Sequence, residues 1–143
     1  MKLKYAVVGL TAALMTAAIP MMAHHSFSAE YDSKSITIKG KFTKMDWVNP
    51  HSWVHIDVTG PDGKVTSWAG ETPPPNGLYR NGWRKDTLKE GEMIEISGNP
   101  AKDGSTHMWA SRVTLLDRPQ VNGAPQTLGF GSRPPSEGPQ PGK

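Results

Sequence analysis

Five histidines punctuate this 143-residue chain, and four of them fall in two short motifs. His24 and His25 stand together in "MMAHHSFSAE"; His51 and His55 frame "HSWVH"; His107 stands apart. If the chain is cut after Ala23, His24 becomes the N-terminus, and one residue then carries both a free amine and an imidazole. That pair chelates a transition metal. His25, at the second position, offers its ring together with the amine and the intervening amide nitrogen. Both modes suit Cu(II), which favours tetragonal nitrogen ligands, with Ni(II) second. Before the cut the His24 nitrogen is an amide and cannot act as an amine ligand. Afterwards it is an amine with a pKa of about 7.7–8.0, low enough for copper to displace its proton at neutral pH.

The cut is therefore the first thing the sequence must support. Lys2 and Lys4 give a positive start, and Ala6 to Ile19 form an apolar run broken by Pro20. Ala23 supplies a small residue at the cut, although Met21 two places earlier is bulky; Ala18 is the competing position. The run is too short to span a membrane and no second run follows, so residues 1–23 read as a signal peptide and no stable membrane insertion is expected after cleavage. The chain has no cysteine, so the fold must hold without disulfides. An exported bacterial protein of the periplasm is expected.

His51 and His55 are four apart, which on a helix would bring both rings to one metal. The residues around them, Ser52, Trp53, Val54, Ile56, Asp57 and Val58, favour a strand instead. There the two α-carbons lie about 13 Å apart, at about 3.3 Å per residue. The motif also lacks the glutamate that zinc-enzyme helices place after the first histidine. A metal site would use one of the two, and His51 is preferred. It follows Asn49-Pro50 where a loop can turn it toward the N-terminal arm. Glu30, Asp32 and Glu71 are weaker outer candidates. His55 reads as an outward polar residue, and His107 as a surface residue.

Five tryptophans suggest an alternative. Trp53, His55 and Asp57 share the outward parity of one strand, and such a face could stack on a sugar or heteroaromatic ligand or dock a protein. Trp68 and Trp109 are expected to fill the core. Catalysis is not expected, because the chain has no cysteine nucleophile, no phosphate-binding glycine loop and no paired carboxylates at a telling spacing. Nucleic acid is not expected either. The 16 basic residues against 13 acidic fall to 14 against 13 once Lys2 and Lys4 are removed, and near-neutral charge leaves no basic footprint.

The elements that must position these residues are short strands. "SITIKGKFTKMDWV" puts Ile36, Ile38 and Phe42 on one parity, with Gly40 as a bend. "SWVHIDVTG" turns Val54, Ile56 and Val58 inward. "PDG" then turns the chain into "KVTSWAG", and "ETPPP" reads as loop. "NGLYRNGWRKDTLKEGE" suits a short helix capped by Asn76. "EMIEISGNP" and "HMWASRVTLL" complete five strands, with Ile94 and Ile96 inward and Trp109, Val113 and Leu115 on one parity.

The order three strands, helix, two strands predicts an all-β fold with minor α content, a small five-stranded barrel of the oligonucleotide/oligosaccharide-binding (OB) type. An open five-stranded sandwich is the alternative. The expected organisation is a signal peptide at 1–23, an N-terminal arm at 24–34, a barrel domain at 35–118 and a disordered tail at 119–143. The tail holds six prolines and five glycines in 25 residues, too little apolar surface to offset its ordering entropy.

"HHSFSAEYD", "WVNPHSW", "WAGE", "LYRNGWRKDTLKEGE" and "PAKDGS" resemble the successive signatures of a family of small exported bacterial proteins whose mature chains begin His-His-Ser-Phe. The family is a domain of unknown function. The resemblance runs from His24 to about Arg118 and implies export, a small barrel and no catalysis. It departs in the proline-lengthened loop after Glu71 and in the long tail. The reading that results is a non-catalytic periplasmic protein that binds a transition metal, copper first, through His24, His25 and His51. The alternative is a ligand-binding or protein-interaction module using Trp53, His55 and Asp57.

Overall fold

A computed structural model describes residues 27–131. The segment 1–23 expected to be a signal peptide, His24, His25, Ser26 and the segment 132–143 lie outside the described residues. Among the described residues there are six strands, β1 (Ile36–Asp46), β2 (Ser52–Thr59), β3 (Val65–Thr72), β4 (Met93–Pro100), β5 (His107–Leu115) and β6 (Gln126–Gly129), and two short helices, α1 (Phe27–Glu30) and α2 (Pro75–Arg80). β1 pairs with both β2 and β4, β3 pairs with β2, and β5 pairs with β4. A parallel contact of β3 with β5, Ala69 to His107 through Glu71 to Trp109, closes the sheet into a five-stranded barrel. α2 lies between the third and fourth strands, as the sequence predicts.

The parity expected of the early strands holds. Val54, Ile56, Ile94 and Ile96 are fully buried, or nearly so, and Phe42 joins them. Gly40 is required by its neighbours: a side chain there would run into the Asp57 backbone of β2.

Four expectations are corrected. β3 does not end at Gly70 but runs to Thr72, paired with Ser52, so Glu71 is a strand residue facing outward opposite Trp53. The three prolines begin only after it. Asn76 is not a cap; Pro74 occupies the N-cap without a side-chain bond, and the helix ends at Arg80. A proline at N1 needs no N–H partner, which suffices to start so short a helix.

Third, Trp109 does not fill the barrel. Ser97 pairs with Arg112 and Gly98 with Ala110, leaving Ser111 as an extra residue in β5. Such a bulge reverses which residues face in. Met108 and Ala110 point inward before it, Val113 and Leu115 after it. Trp109 is turned to the outside, into a second cluster with Tyr31, Ala101 and Phe27. Trp68 is partly buried against the main core.

Fourth, the segment from 119 is not disordered throughout. Val121 and Ala124 bridge around Asn122 and Gly123, both with positive φ, the turn that Asn-Gly favours. β6 then pairs with β5, and Phe130 is fully buried, stacked on Trp83 at 4.6 Å between ring centroids. The Trp83 Nε1–H donates to the Gly129 carbonyl at 2.9 Å. One large aromatic thus anchors a segment whose average composition is too polar to pack.

Candidate functional site

The outward face at the β3–β5 closure holds most of the residues that could do chemistry. Register places Trp53 of β2, Glu71 of β3 and Trp109 of β5 in one row across the seam. His51 precedes the row on the β2 side, and His107 lies one pleat away on β5, level with Ala69. Across the row lies the N-terminal arm. The α1 residue Phe27 packs on Tyr31 and edge-on to Trp109, and Tyr31 meets Trp109 and His107 edge-on. Backbone bonds from Asp32 to the Pro100 carbonyl and from Lys102 to the Glu30 carbonyl fasten the arm to the body.

Glu71 is the centre of this face. Its side chain is 9% exposed. The Tyr31 hydroxyl donates to Oε2, and Nδ1 of His51 stands against Oε1. Burial raises the Tyr31 phenol well above its ordinary value, and the hydrogen bond to Glu71 raises it further, so the phenol keeps its proton and donates. A carboxylate only accepts, so this contact is favourable when Nδ1 of His51 carries a proton. Nε2 is then the ring nitrogen left for another partner, on a side chain 38% exposed. The His51 ring meets Trp109 edge-on at 5.5 Å, which fixes its plane. A carboxylate behind one imidazole nitrogen is how metal-binding histidines are commonly oriented.

His107 is held similarly. Its Nδ1 lies 2.6 Å from the Ser105 hydroxyl, which itself donates to Asp103 at 2.5 Å. These bonds from Ser105 hold the Asp103 carboxyl below its ordinary range. Nε2 faces Glu30 Oε1 at 4.0 Å, and the ring is edge-on to Tyr31 and Trp53. Sequence reading set His107 aside as a surface residue; it stands instead half-buried in the cluster. The missed signal was the alternation His107–Trp109, which the parallel β3–β5 pairing brings beside Glu71.

The remaining predicted residues do not converge. His55 shares the outward face of β2, but its Nε2 bonds to Asp46 at 2.9 Å. Asp46 is held below its ordinary value by Lys44 first and His55 second. Asp57 accepts from Ser67 at 2.6 Å. Trp53 turns toward His107 rather than toward these two. Asp32 bonds to the Lys34 backbone. Among the described residues no three His, Asp or Glu side chains form a group able to hold a metal. The Trp109 Nε1–H is buried without a hydrogen-bond partner among the described residues. An open groove of about 550 Å³ lies elsewhere, between Trp47, Val48, Lys85 and Glu90, with no histidine on its walls.

Residues 12–110 match a family model described as a family of unknown function (DUF6152). No curated protein and no solved structure matches the chain.

Proposed function

The chain belongs to the DUF6152 family of unknown function, and with no activity to inherit we propose, from its own chemistry, that it is an exported, non-catalytic periplasmic protein that binds Cu(II). The ligands are the His24 amine and imidazole, His25, and Nε2 of His51. The supporting observation is the junction at Trp109. Phe27, two residues after His25, packs against the same indole that braces the His51 ring. Two residues span at most about 7 Å, so the arm's histidines and His51 are within reach of one ion. The geometry behind His51 favours the same reading. Glu71 takes the Nδ1–H and leaves Nε2 as the donor atom, while Tyr31, itself part of the arm, holds the other oxygen. An all-nitrogen set of amine and imidazoles selects copper over hard cations. The buried Trp109 N–H offers the incoming arm a hydrogen bond.

Titration of the processed protein with Cu(II) tests this. One tight site with nitrogen hyperfine structure in the electron paramagnetic resonance spectrum is expected. His24→Ala, His51→Ala and acetylation of the amine should each weaken it. Equal binding by acetylated and free protein would remove the amine from the site and sink the proposal.

A further inference from the structure

We infer that the groove beside Trp47 is a docking surface for proline-rich chain, and that its occupant is this protein's own segment 132–143. The groove, of about 550 Å³, has Phe42, Met45, Trp47, Val48 and Leu88 as its apolar walls. Tyr79 of α2 extends that surface, its ring centroid 5.1 Å from that of Trp47. Of the four large apolar side chains exposed among the described residues, two, Val48 and Tyr79, adjoin Trp47. The platform is built before anything binds. The Arg84 guanidinium lies 5.7 Å from the Tyr79 ring centroid and donates to the Tyr79 and Trp83 carbonyls at 3.1 and 2.7 Å. Aromatic rings along an open apolar groove suit a polyproline helix, whose stiff backbone gives up little entropy on binding.

The choice of occupant rests on where Gly131 sits. The Trp83 indole N–H holds the Gly129 carbonyl, and a side chain on Gly131 would run into the Asn81 carboxamide. Asn81 closes α2 two residues after Tyr79, so the chain beyond Gly131 sets out beside the aromatic pair. "SRPPSEGPQPGK" follows, with four prolines in 12 residues. In a polyproline helix, at about 3.1 Å per residue, Pro134 and Pro135 lie about 9–12 Å beyond Gly131, and Glu137 about 19 Å. The first distance seats the two prolines against Tyr79 and Trp47. The second carries Glu137 along the groove wall to Lys85. Lys85 is exposed and forms no ion pair among the described residues, whereas Lys44 on the same wall is taken by Asp46 at 2.9 Å. A tether this short holds the segment at about millimolar effective concentration, so a weak contact suffices.

The test is backbone 15N relaxation of the processed full-length protein. Order parameters of about 0.8 are expected at Ser136, Glu137 and Gly138, close to those of rigid backbone. Tyr79→Ala, or Pro134→Gly together with Pro135→Gly, should lower them below about 0.6, the range of flexible chain. The Tyr79 side chain is exposed, and dispersed amide shifts from the barrel check that its variant is folded. Lys85→Glu should lower the values in part, and adding Glu137→Lys should restore them. Values below about 0.6 in the unaltered protein overturn the inference, and so do values indifferent to Tyr79→Ala. Order that fades on dilution gives the groove to the tail of a second copy and overturns the assignment to the chain's own tail. His51 and the N-terminal amine take no part in this test, so the copper reading stands or falls separately.

Discussion

A buried carboxylate needs partners, and Glu71 has two that come from different parts of the chain. Tyr31 arrives on the arm and His51 at the start of β2. Removing either leaves a charged oxygen without a donor, which costs about 1–3 kcal/mol when the site is dry. Tyr31→Phe keeps the ring packing and isolates that cost, so chemical denaturation should show a loss in this range. Glu71→Leu removes the acceptor altogether. In metal-free protein, ring 15N spectra should show His51 protonated at Nδ1 alone, and Glu71→Leu should release it to exchange between tautomers. Copper affinity should fall about 10- to 100-fold, as it does when the group behind a metal-bound imidazole is lost. A His51 tautomer unaffected by Glu71→Leu would mean that the carboxylate does not set the donor atom.

At the scale of elements, the outward turn of Trp109 and the docking of β6 both depend on β5. The Ser111 bulge reverses the facing of β5, and the glycine at 98 lets β4 approach there, since a side chain would strike the Trp109 carbonyl. Gly98→Val should drive a side chain into that carbonyl and force β4 and β5 apart beside Trp109. Overpacking of that kind costs about 1–3 kcal/mol or more, and tryptophan fluorescence together with the melting temperature reports it. Phe130 makes a second element-scale test. Phe130→Ala empties the place stacked on Trp83 and should destabilise by about 3–5 kcal/mol, and truncation before Pro119 should do at least as much damage. If truncation before Pro119 leaves the melting temperature unchanged, β6 contributes nothing to the fold.

For the whole molecule, stability rests on one apolar barrel interior and a few buried ionic contacts. Ile56 is fully buried at its centre, and Ile56→Asp should prevent folding, because an unpaired charge there costs several kcal/mol or forces neutralisation. Circular dichroism of the purified variant checks it. The Arg118 guanidinium grips both oxygens of the buried Glu92 at 2.5 and 2.9 Å and holds its carboxyl below the ordinary glutamate value. A depressed carboxyl stabilises the fold above its ordinary pKa, and that contribution is lost as pH falls through the depressed value. The melting temperature of the protein should therefore drop on acidification below about pH 4.5, and Glu92→Gln should flatten that part of the curve.

The sequence by itself determined the class of fold. Alternation in β2 and β4 put Val54, Ile56, Ile94 and Ile96 inside, and the order of strands around one short helix gave the barrel. Those signals are local: a side-chain period of two and a turn residue can be read without knowing what packs where. The sequence also marked His51, through its neighbours in β2. Only the tertiary structure decided the rest. The signals missed were either non-local or outweighed by local averages. The prolines that follow Glu71 mark it locally as loop, yet pairing of Glu71 with Trp53 and of Thr72 with Ser52 extends β3 past that point. The parity of Trp109 matches Val113 and points it to the core, and one extra residue in β5 reverses it. The mean composition of the tail argues against packing, but Asn122-Gly123 and a single Phe130 fold its first part back. His51, Glu71, Tyr31 and His107 are separated by up to 76 positions and meet only because β3 and β5 run parallel and close the barrel, a contact that no short stretch of sequence encodes.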